Sequence, residues 1–140
     1  MKVIDANVLI AAVSSDHAHH AAAVAWLQKA RNEREPLALC TVVALAFLRI
    51  TTNPKIHEHP LMSYQALDWL GALMRSPSAR WVHPADEHLL ALGRLLTGSV
   101  VGNLVMDAHL AALALENGAS VVTFDRDFLR FKGLRVELLG

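Results

Sequence analysis

The sequence predicts an α/β fold with three layers, α/β/α, in which helices cover both faces of a short, mainly parallel central sheet. Short segments rich in Val, Ile and Leu alternate along the chain with longer segments whose apolar residues recur at helical spacing. Of the 140 residues, 54% are hydrophobic and only 19% are charged. These values predict one domain, residues 1–140, with a substantial core, and they argue against a disordered chain.

The first half of the chain contains two predicted strands and four helical segments. Asp16, Thr41 and Ser63 each stand where an N-cap residue would begin a helix. Pro36 follows the longest helix and ends it. The strands are Lys2–Asp5 and Leu37–Cys40, and the helical segments are Asn7–Val13, His17–Arg34, Thr41–Thr52 and Ser63–Met74.

The second half contains three predicted strands and two helices. Asn103 can cap the second helix, and Gly118 ends it, because glycine readily adopts the left-handed conformation that follows many helices. The strands are Arg80–His83, Ser120–Phe124 and Arg135–Leu139, and the helices are Asp86–Leu96 and Leu104–Glu116.

Composition excludes several classes of protein. The formal net charge is zero, so contact with nucleic acid requires a local basic patch or bound cations. Cys40 is the only cysteine, which excludes an internal disulfide and is typical of a small buried side chain. The start of the chain lacks the pattern of a signal peptide, and no apolar run is long enough to span a membrane. We therefore expect a cytoplasmic protein without membrane contact.

Three aspartates occupy positions that a core does not favour. Asp5 and Asp125 each follow a predicted buried strand, and the ends of parallel strands meet at one edge of a sheet. Asp107 lies on a helical stripe otherwise made of Leu and Ala, where an unpaired carboxylate is rare. We expect the three side chains to face one pocket.

Converging carboxylates repel one another, so either their pKa values rise or cations hold them together. Carboxylate oxygens are ligands for Mg²⁺ and Mn²⁺, and two such ions can activate water and stabilise the leaving oxygen of a phosphodiester. Each aspartate also has a simpler interpretation. Asp5 and Asp125 could cap a helix or a turn, and Asp107 could pair with Arg49, which could instead hold the end of its own helix.

Four segments, VIDANVLIAA, AFLRITTNP, DAHLAALALENGASVVTFDRDFLRF and GLRVELL, resemble a PIN-domain ribonuclease of the VapC toxin type over nearly the whole chain. The third segment is the most specific, because an Asp opens an Ala-rich helix and a strand then leads to a T-x-D-x-D-F ending. The resemblance implies a small PIN-like α/β/α nuclease that cuts RNA with Mg²⁺ or Mn²⁺. It also implies a homodimer that a cognate, VapB-like antitoxin silences by covering the active site.

The resemblance implies roles for six residues of this sequence. Four are metal-binding acids, of which three form the catalytic set, and two are supporting polar residues. The catalytic acids are Asp5, Asp107 and Asp125, the further acid is Asp127, and the supporting residues are Asn7 beside Asp5 and Thr123 as a hydrogen-bond partner of a carboxylate.

The second acid of the family pattern is missing. Relatives typically carry a Glu in a phrase such as T-E-L-x-F-L-R, whereas this chain reads VALAFLRI with Ala44 at the Glu position, and no acid occurs between Thr41 and Ile50. Either the chain is an engineered Glu→Ala variant, or it is a natural member that is weakened or differently built. Both explanations imply weaker metal binding and slow or absent cleavage.

A local basic cluster follows Asp125 in the sequence. Arg126, Arg130 and Lys132, with Arg135 beyond them, are predicted to contact RNA phosphates, with a solvated rim as the alternative. The histidines show no spacing that predicts a zinc site, and His88 is predicted to lie on the surface or in a loop.

The leading hypothesis is therefore a Mg²⁺- or Mn²⁺-dependent endoribonuclease toxin of a toxin–antitoxin system, with structured RNA such as tRNA as its implied substrate. The alternative is a catalytically silent PIN domain that binds protein or RNA, which Ala44 favours and the three retained aspartates oppose. A haloacid-dehalogenase-type phosphatase is disfavoured, because Asn7 stands where its second Asp is expected.

Overall fold

Five short strands form one central sheet: β1 (Lys2–Ile4), β2 (Leu37–Leu39), β3 (Ala79–Trp81), β4 (Ser120–Thr123) and β5 (Arg135–Leu138). Their order across the sheet is β3-β2-β1-β4-β5, and every neighbouring pair is parallel. The computed structural model describes all residues from Met1 to Gly140. The sheet is thus wholly parallel, where the sequence predicted a mainly parallel one.

Six α-helices flank the sheet: α1 (Ala6–Val13), α2 (His20–Asn32), α3 (Thr41–Thr51), α4 (Ser63–Met74), α5 (His88–Leu95) and α6 (Leu104–Glu116). Helices α1 to α4 pack together in one layer, whereas α5 packs on α6, and α6 contacts β1 and β4. This division follows from right-handed crossovers, since the chain steps from β1 to β2 and β3 and then returns past β1 to β4. The predicted three-layer fold is confirmed.

One cluster of 31 buried side chains forms the core. Val121 and Val122 of β4 are fully buried, as expected for a central parallel strand covered on both faces. Ala108, Ala111 and Ala114 of α6 are also fully buried, and their small side chains allow this helix to lie close to the sheet. Because α6 leads into β4, it runs antiparallel to the strands, and its first turn therefore lies where the strands end.

Helix α2 begins later than the sequence predicted. Residues 14–19 form turns, in which the backbone N–H groups of His17 and His20 donate to the carbonyls of Ser14 and His17, each over 3.0 Å. The helix therefore starts at His20, with His19 at the N-cap position. The prediction that Asp16 caps this helix is wrong, because the backbone after Asp16 forms turns and does not become helical until His20.

Two other predicted caps are displaced by one residue. Thr41 and Ser63 are the first residues of α3 and α4, and Cys40 and Met62 occupy the N-cap positions. The predicted end of α6 is confirmed, because Gly118 has a φ of +60°, in the left-handed region. Among all the helices, none combines the length and the apolar character needed to cross a membrane.

Candidate active site

Asp5 and Asp125 follow two neighbouring strands of the sheet. Ile4 of β1 pairs with Val122 of β4, and the Asp5 backbone N–H donates to the Val122 carbonyl over 3.0 Å. Both aspartates therefore lie at the edge where the strands end, which we call the carboxyl edge. Parallel sheets bind ligands at this edge.

Thr123 joins the residues of this edge through its hydroxyl. The side chain is fully buried, and its Oγ1 donates to Asp5 Oδ2 over 2.7 Å. The same oxygen accepts from Asn7 Nδ2 over 3.0 Å and from the Asp125 backbone N–H over 2.9 Å. Asn7 Oδ1 accepts in turn from the Phe124 backbone N–H over 3.3 Å. A hydroxyl has one donor and two acceptor positions, so Thr123 uses its full capacity here.

Asp5 occupies the N-cap position of α1, but its side chain makes no capping hydrogen bond. The interpretation of Asp5 as a helix cap is met in position only, since its carboxylate accepts from Thr123 and the bond of a capping side chain is absent. Burial raises the pKa of Asp5 above its usual 3.8, repulsion from Asp125 adds to the rise, and the Thr123 hydrogen bond opposes it. The site thus disfavours the negative charge unless a positive charge joins it.

Asp125 does act as a cap. Its Oδ1 accepts from the Asp127 backbone N–H over 2.8 Å at the start of a short 3-10 helix, Arg126–Arg130. The turn interpretation is confirmed for this oxygen, while Oδ2 stays available to a ligand. Asp127 itself is exposed and pairs with Arg130 over 3.1 Å.

Asp107 lies half-buried in the first turn of α6. Its pKa is raised from 3.8 to about 6 by burial and then by repulsion from Asp5, Asp125 and Asp127, while Arg130 opposes the rise. The charges of these carboxylates therefore act on one another across the carboxyl edge. We call Asp5, Asp107, Asp125 and Asp127 the acid cluster.

Arg49 does not neutralise the acid cluster. It lies exposed in the last turn of α3, and neither Arg49 nor Asp107 forms an ion pair. The alternative in which Asp107 pairs with Arg49 is therefore excluded in this structure. A cation near a helix C-terminus interacts favourably with the helix dipole, which agrees with the other predicted role of Arg49.

Ala44 lies in the first turn of α3. Its side chain is only 7% exposed. The neighbouring Cys40 is buried, which raises the pKa of its thiol, and repulsion from Asp5 contributes to that rise. The start of α3 therefore lies within electrostatic reach of Asp5, and Ala44 brings no charge to it.

The basic cluster is divided by the structure. Arg126, Arg130 and Lys132 are exposed, on or just after the 3-10 helix. Arg135 begins β5, at the opposite edge of the sheet, and donates to the Gly118 carbonyl over 2.6 Å. Including Arg135 in the cluster is therefore wrong, because the chain crosses from one edge of the sheet to the other before it.

Three polar side chains joined by hydrogen bonds between α5 and α6 were not predicted from the sequence. His88 is only 7% exposed, and its Nδ1 lies 2.6 Å from Glu116 Oε1 while its Nε2 lies 2.8 Å from His109 Nδ1. These contacts fasten α5 to α6. The prediction of His88 as a surface or loop residue is wrong, and only the packing of the two helices reveals its burial.

The acid cluster suits a hard cation with a large share of water ligands. No three His, Cys, Asp or Glu side chains stand close enough to hold a metal ion by protein atoms alone. Mg²⁺ is usually bound through one or two carboxylates and several waters, whereas zinc needs three or four protein ligands. Burial, and then repulsion between the carboxylates, raises the pKa values of Asp5 and Asp107, and a bound cation would favour their charged forms, so the residues fit Mg²⁺ or Mn²⁺ and do not fit zinc.

The fold is that of a small, wholly parallel α/β domain with carboxylates gathered at the ends of its central strands. The PIN domain family matches residues 2–134, and the chain belongs to this family. Its curated relatives include Ribonuclease VapC37 of Mycobacterium tuberculosis, 41% identical over 96% of this chain and 94% of that protein. Ribonuclease VapC43 of the same species is 37% identical over 96% of this chain and 92% of that protein. Membership of this family rules against the phosphatase hypothesis.

Solved structures share the fold at low sequence identity. VapBC2 from Rickettsia felis, bound to a DNA fragment from its promoter, matches with a TM-score of 0.72 and 17% identity, covering 99% of this chain and 98% of that one. VapC20 of Mycobacterium tuberculosis, a toxin that cleaves the sarcin-ricin loop, matches with a TM-score of 0.66 and 16% identity, covering 96% and 99%.

Proposed function

We propose that this protein is a Mg²⁺- or Mn²⁺-dependent endoribonuclease toxin of a toxin–antitoxin system. The observation that carries the proposal is the placement of Asp5 and Asp125 at the ends of neighbouring strands, with Asp107 near enough for their charges to add to the burial that raises its pKa to about 6. Relatives named as ribonucleases at up to 41% identity over nearly the whole chain support it. Structured RNA such as tRNA is the proposed substrate class.

The cation would bind among Asp5, Asp107, Asp125 and Asp127, with one or two of these carboxylates as direct ligands and the others acting through its waters. A bound Mg²⁺ or Mn²⁺ supplies positive charge that offsets the phosphodiester and promotes attack by water. The protein's own contribution is orientation, because the Thr123 hydroxyl holds the Asp5 carboxylate over 2.7 Å. Second-sphere hydrogen bonds of this kind fix the position of a ligand and its basicity.

The exposed cations next to the acid cluster are proposed to contact the RNA backbone. Arg126 and Lys132 have no acidic partner within the protein, whereas Arg130 is paired with Asp127. In a chain of zero net charge, such local cations supply the attraction to phosphates, and that attraction weakens with added salt.

Ala44 is proposed to weaken the activity of this chain. Its buried position in the first turn of α3, within reach of the charge of Asp5, is where a Glu could complete the acid cluster. Without that carboxylate the site has one charged ligand fewer, so it should bind cations less tightly. The alternative function, a silent PIN domain that binds protein or RNA, rests on this same residue.

A VapB-like antitoxin and a second copy of the chain are the proposed protein partners. The structure exposes large apolar side chains in two regions, and contiguous exposed apolar surface commonly marks protein interfaces. One region spans the end of the α3–α4 connection and α4, and the other spans α5 and the start of α6. Their most exposed members are Met62, Tyr64 and Leu67 in the first region, and Leu89, Leu90, Val101 and Met106 in the second.

Titration of Mn²⁺ into the purified chain, followed by cleavage of tRNA with Mg²⁺ or Mn²⁺, tests the proposal. We expect site-specific Mn²⁺ binding and slow cleavage, both lost in Asp5→Asn and Asp125→Asn. Asp68→Asn is the matched control, because Asp68 is an exposed carboxylate of α4 far along the chain from the site. Mn²⁺ binding that survives Asp5→Asn would refute the cation site. Binding without cleavage, even after Ala44→Glu, would favour the silent domain.

A further inference from the structure

A cavity of about 460 Å³ lies between α5, the C-terminal end of α6 and the segment that follows the 3-10 helix. Its apolar wall is formed by Leu95, Val100, Leu115 and Phe131. Cavities of about 300–1,000 Å³ hold small ligands or parts of larger ones. This volume is therefore enough for one planar group together with its polar substituent.

The charged groups of this cavity are mostly cationic. Arg94, Arg130 and Lys132 line it, together with a single acid, Glu116. Both oxygens of Glu116 are engaged within the protein, Oε1 with His88 over 2.6 Å and Oε2 with the Ala85 backbone N–H over 3.3 Å. Glu116 therefore supports the wall of the cavity, and the exposed charged groups of the cavity are the three cations.

Arg94 and Lys132 are the cations of the cavity that remain free for a ligand. Both are exposed, and neither forms an ion pair, whereas Arg130 pairs with Asp127. Arg94 comes from the last turn of α5, an element separate from the 3-10 helix that carries the basic cluster. The cavity thus combines cations from two parts of the chain with an apolar wall.

Two observations connect the cavity to the acid cluster. Arg130 lines the cavity and also lies close enough to Asp107 for its charge to oppose the rise in the pKa of that carboxyl. Asp107 and Leu115 lie on the same helix, eight residues and about 12 Å apart at 1.5 Å per residue. One extended RNA strand can therefore contact the acid cluster and the cavity together.

The walls of the cavity are held in place before any ligand arrives. His88 joins Glu116 and His109 by two hydrogen bonds, which fix α5 against α6. Phe131, on the other wall, is only 4% exposed and packs edge-to-face on Phe128. A preformed cavity avoids part of the entropy cost of binding.

We infer that this cavity is a subsite for one nucleotide of the RNA strand, about 12 Å along α6 from Asp107. Its apolar wall receives the base, and Arg94 and Lys132 hold the adjoining phosphate. The inference rests on the proposed ribonuclease function and adds Arg94 to the RNA-binding residues. An acidic peptide shares the negative charge, but Arg130, which lines the cavity and pairs with Asp127, favours the RNA strand that the acids would cut.

Binding of a fluorescent single-stranded RNA 12-mer, measured by anisotropy in EDTA, tests the subsite without cleavage. We expect Arg94→Gln to weaken binding by about 3- to 10-fold and to reduce the slope of log K against log salt by about 0.7, the value for one phosphate contact on single strands. Arg34→Gln is the matched control, because Arg34 is an exposed arginine between α2 and β2. We expect it to leave both quantities unchanged.

Val100→Ser separates the base from the phosphate. It removes apolar wall without changing charge, so we expect weaker binding at an unchanged salt slope. Unchanged affinity and slope in Arg94→Gln would overturn the subsite. If Arg94→Gln lost binding to a polyglutamate peptide but kept its RNA binding, the nucleotide subsite would be overturned in favour of a site for an acidic protein partner. If the unsubstituted chain bound no RNA, the proposed function would fall first, an outcome distinct from failure of Arg94 alone.

Discussion

The hydroxyl of Thr123 donates to the carboxylate of Asp5 over 2.7 Å, joining two residues that are 118 positions apart in the chain. The bond exists because β1 and β4 are neighbours in the sheet and end at the same edge. It gives the partly buried Asp5 carboxylate a donor and opposes the rise in its pKa that burial causes. Thr123 therefore orients the Asp5 carboxylate and favours its charged form.

We expect Thr123→Val to lower the free energy of unfolding by about 2 kcal/mol, because Asp5, Asn7 and the Asp125 backbone each lose a partner in buried surroundings. Mn²⁺ affinity should fall by about 10- to 100-fold, as for other second-sphere ligand supports. Urea unfolding and calorimetric titration measure the two effects. Thr123→Ser keeps the hydroxyl and should retain most of the Mn²⁺ affinity; equal losses in both variants would contradict the role of the hydroxyl.

Local patterns were enough to predict much of this site, and long-range packing explains the rest. Asp5 and Asp125 could be placed at one edge because each follows an apolar strand. The three bonds of Thr123 depend on strand pairing, which no local pattern encodes. Arg135 lies near the basic cluster in sequence, yet β5 begins at the other edge of the sheet. The burial of His88 likewise depends on how α5 meets α6.

Asp107→Asn should stabilise the metal-free protein at neutral pH. The pKa of Asp107 is about 6 in the folded protein and 3.8 as its usual value, so between these values the folded state binds more protons than the unfolded chain. The free energy of unfolding contributed by this group therefore falls as pH rises through this window, and the full penalty remains above it. Removing the charge relieves that penalty.

Urea unfolding of Asp107→Asn measures this effect. We expect a gain of about 1 kcal/mol at neutral pH, a value kept small because water screens a half-exposed carboxylate. The gain should shrink as pH is lowered below the pKa of about 6. Asp68→Asn changes the same charge at an exposed position and should show little gain. A larger gain in acid than at neutral pH would contradict the repulsion within the acid cluster.

Protons and cations should compete for the same carboxylates. Because the pKa of Asp107 is about 6, lowering the pH through that value protonates a proposed ligand and should weaken Mn²⁺ binding. Titrations across this range should show affinity falling by about 10-fold per pH unit where one proton is exchanged per ion. In Asp107→Asn the dependence near this value should flatten; an unaltered pH profile would exclude Asp107 as a ligand.

Ala44→Glu should increase Mg²⁺-dependent RNA cleavage if a carboxylate is missing from the first turn of α3. The site is only 7% exposed, so the added charge should destabilise the metal-free protein and make its melting temperature respond more strongly to Mn²⁺. Leu45→Glu is a matched control, because Leu45 is the next residue of the same helix and is 59% exposed. An Ala44→Glu chain that cuts RNA no faster than the present one would remove the missing-ligand explanation.

His88→Ala should destabilise the contact between α5 and α6. It would leave Glu116 Oε1 and His109 Nδ1 without the partner that His88 provides, in a largely buried setting, and we expect a loss of about 2–4 kcal/mol in the free energy of unfolding. His83→Ala, at an exposed position, should cost little and serves as the control. Asp107 lies on α6, against which α5 packs. Weaker packing of α5 should therefore affect the acid cluster only if it also loosens α6. Amide exchange that accelerates in α5 while α6 stays protected would support this order of events, and loss of protection throughout α6 would show that His88 supports the site as well.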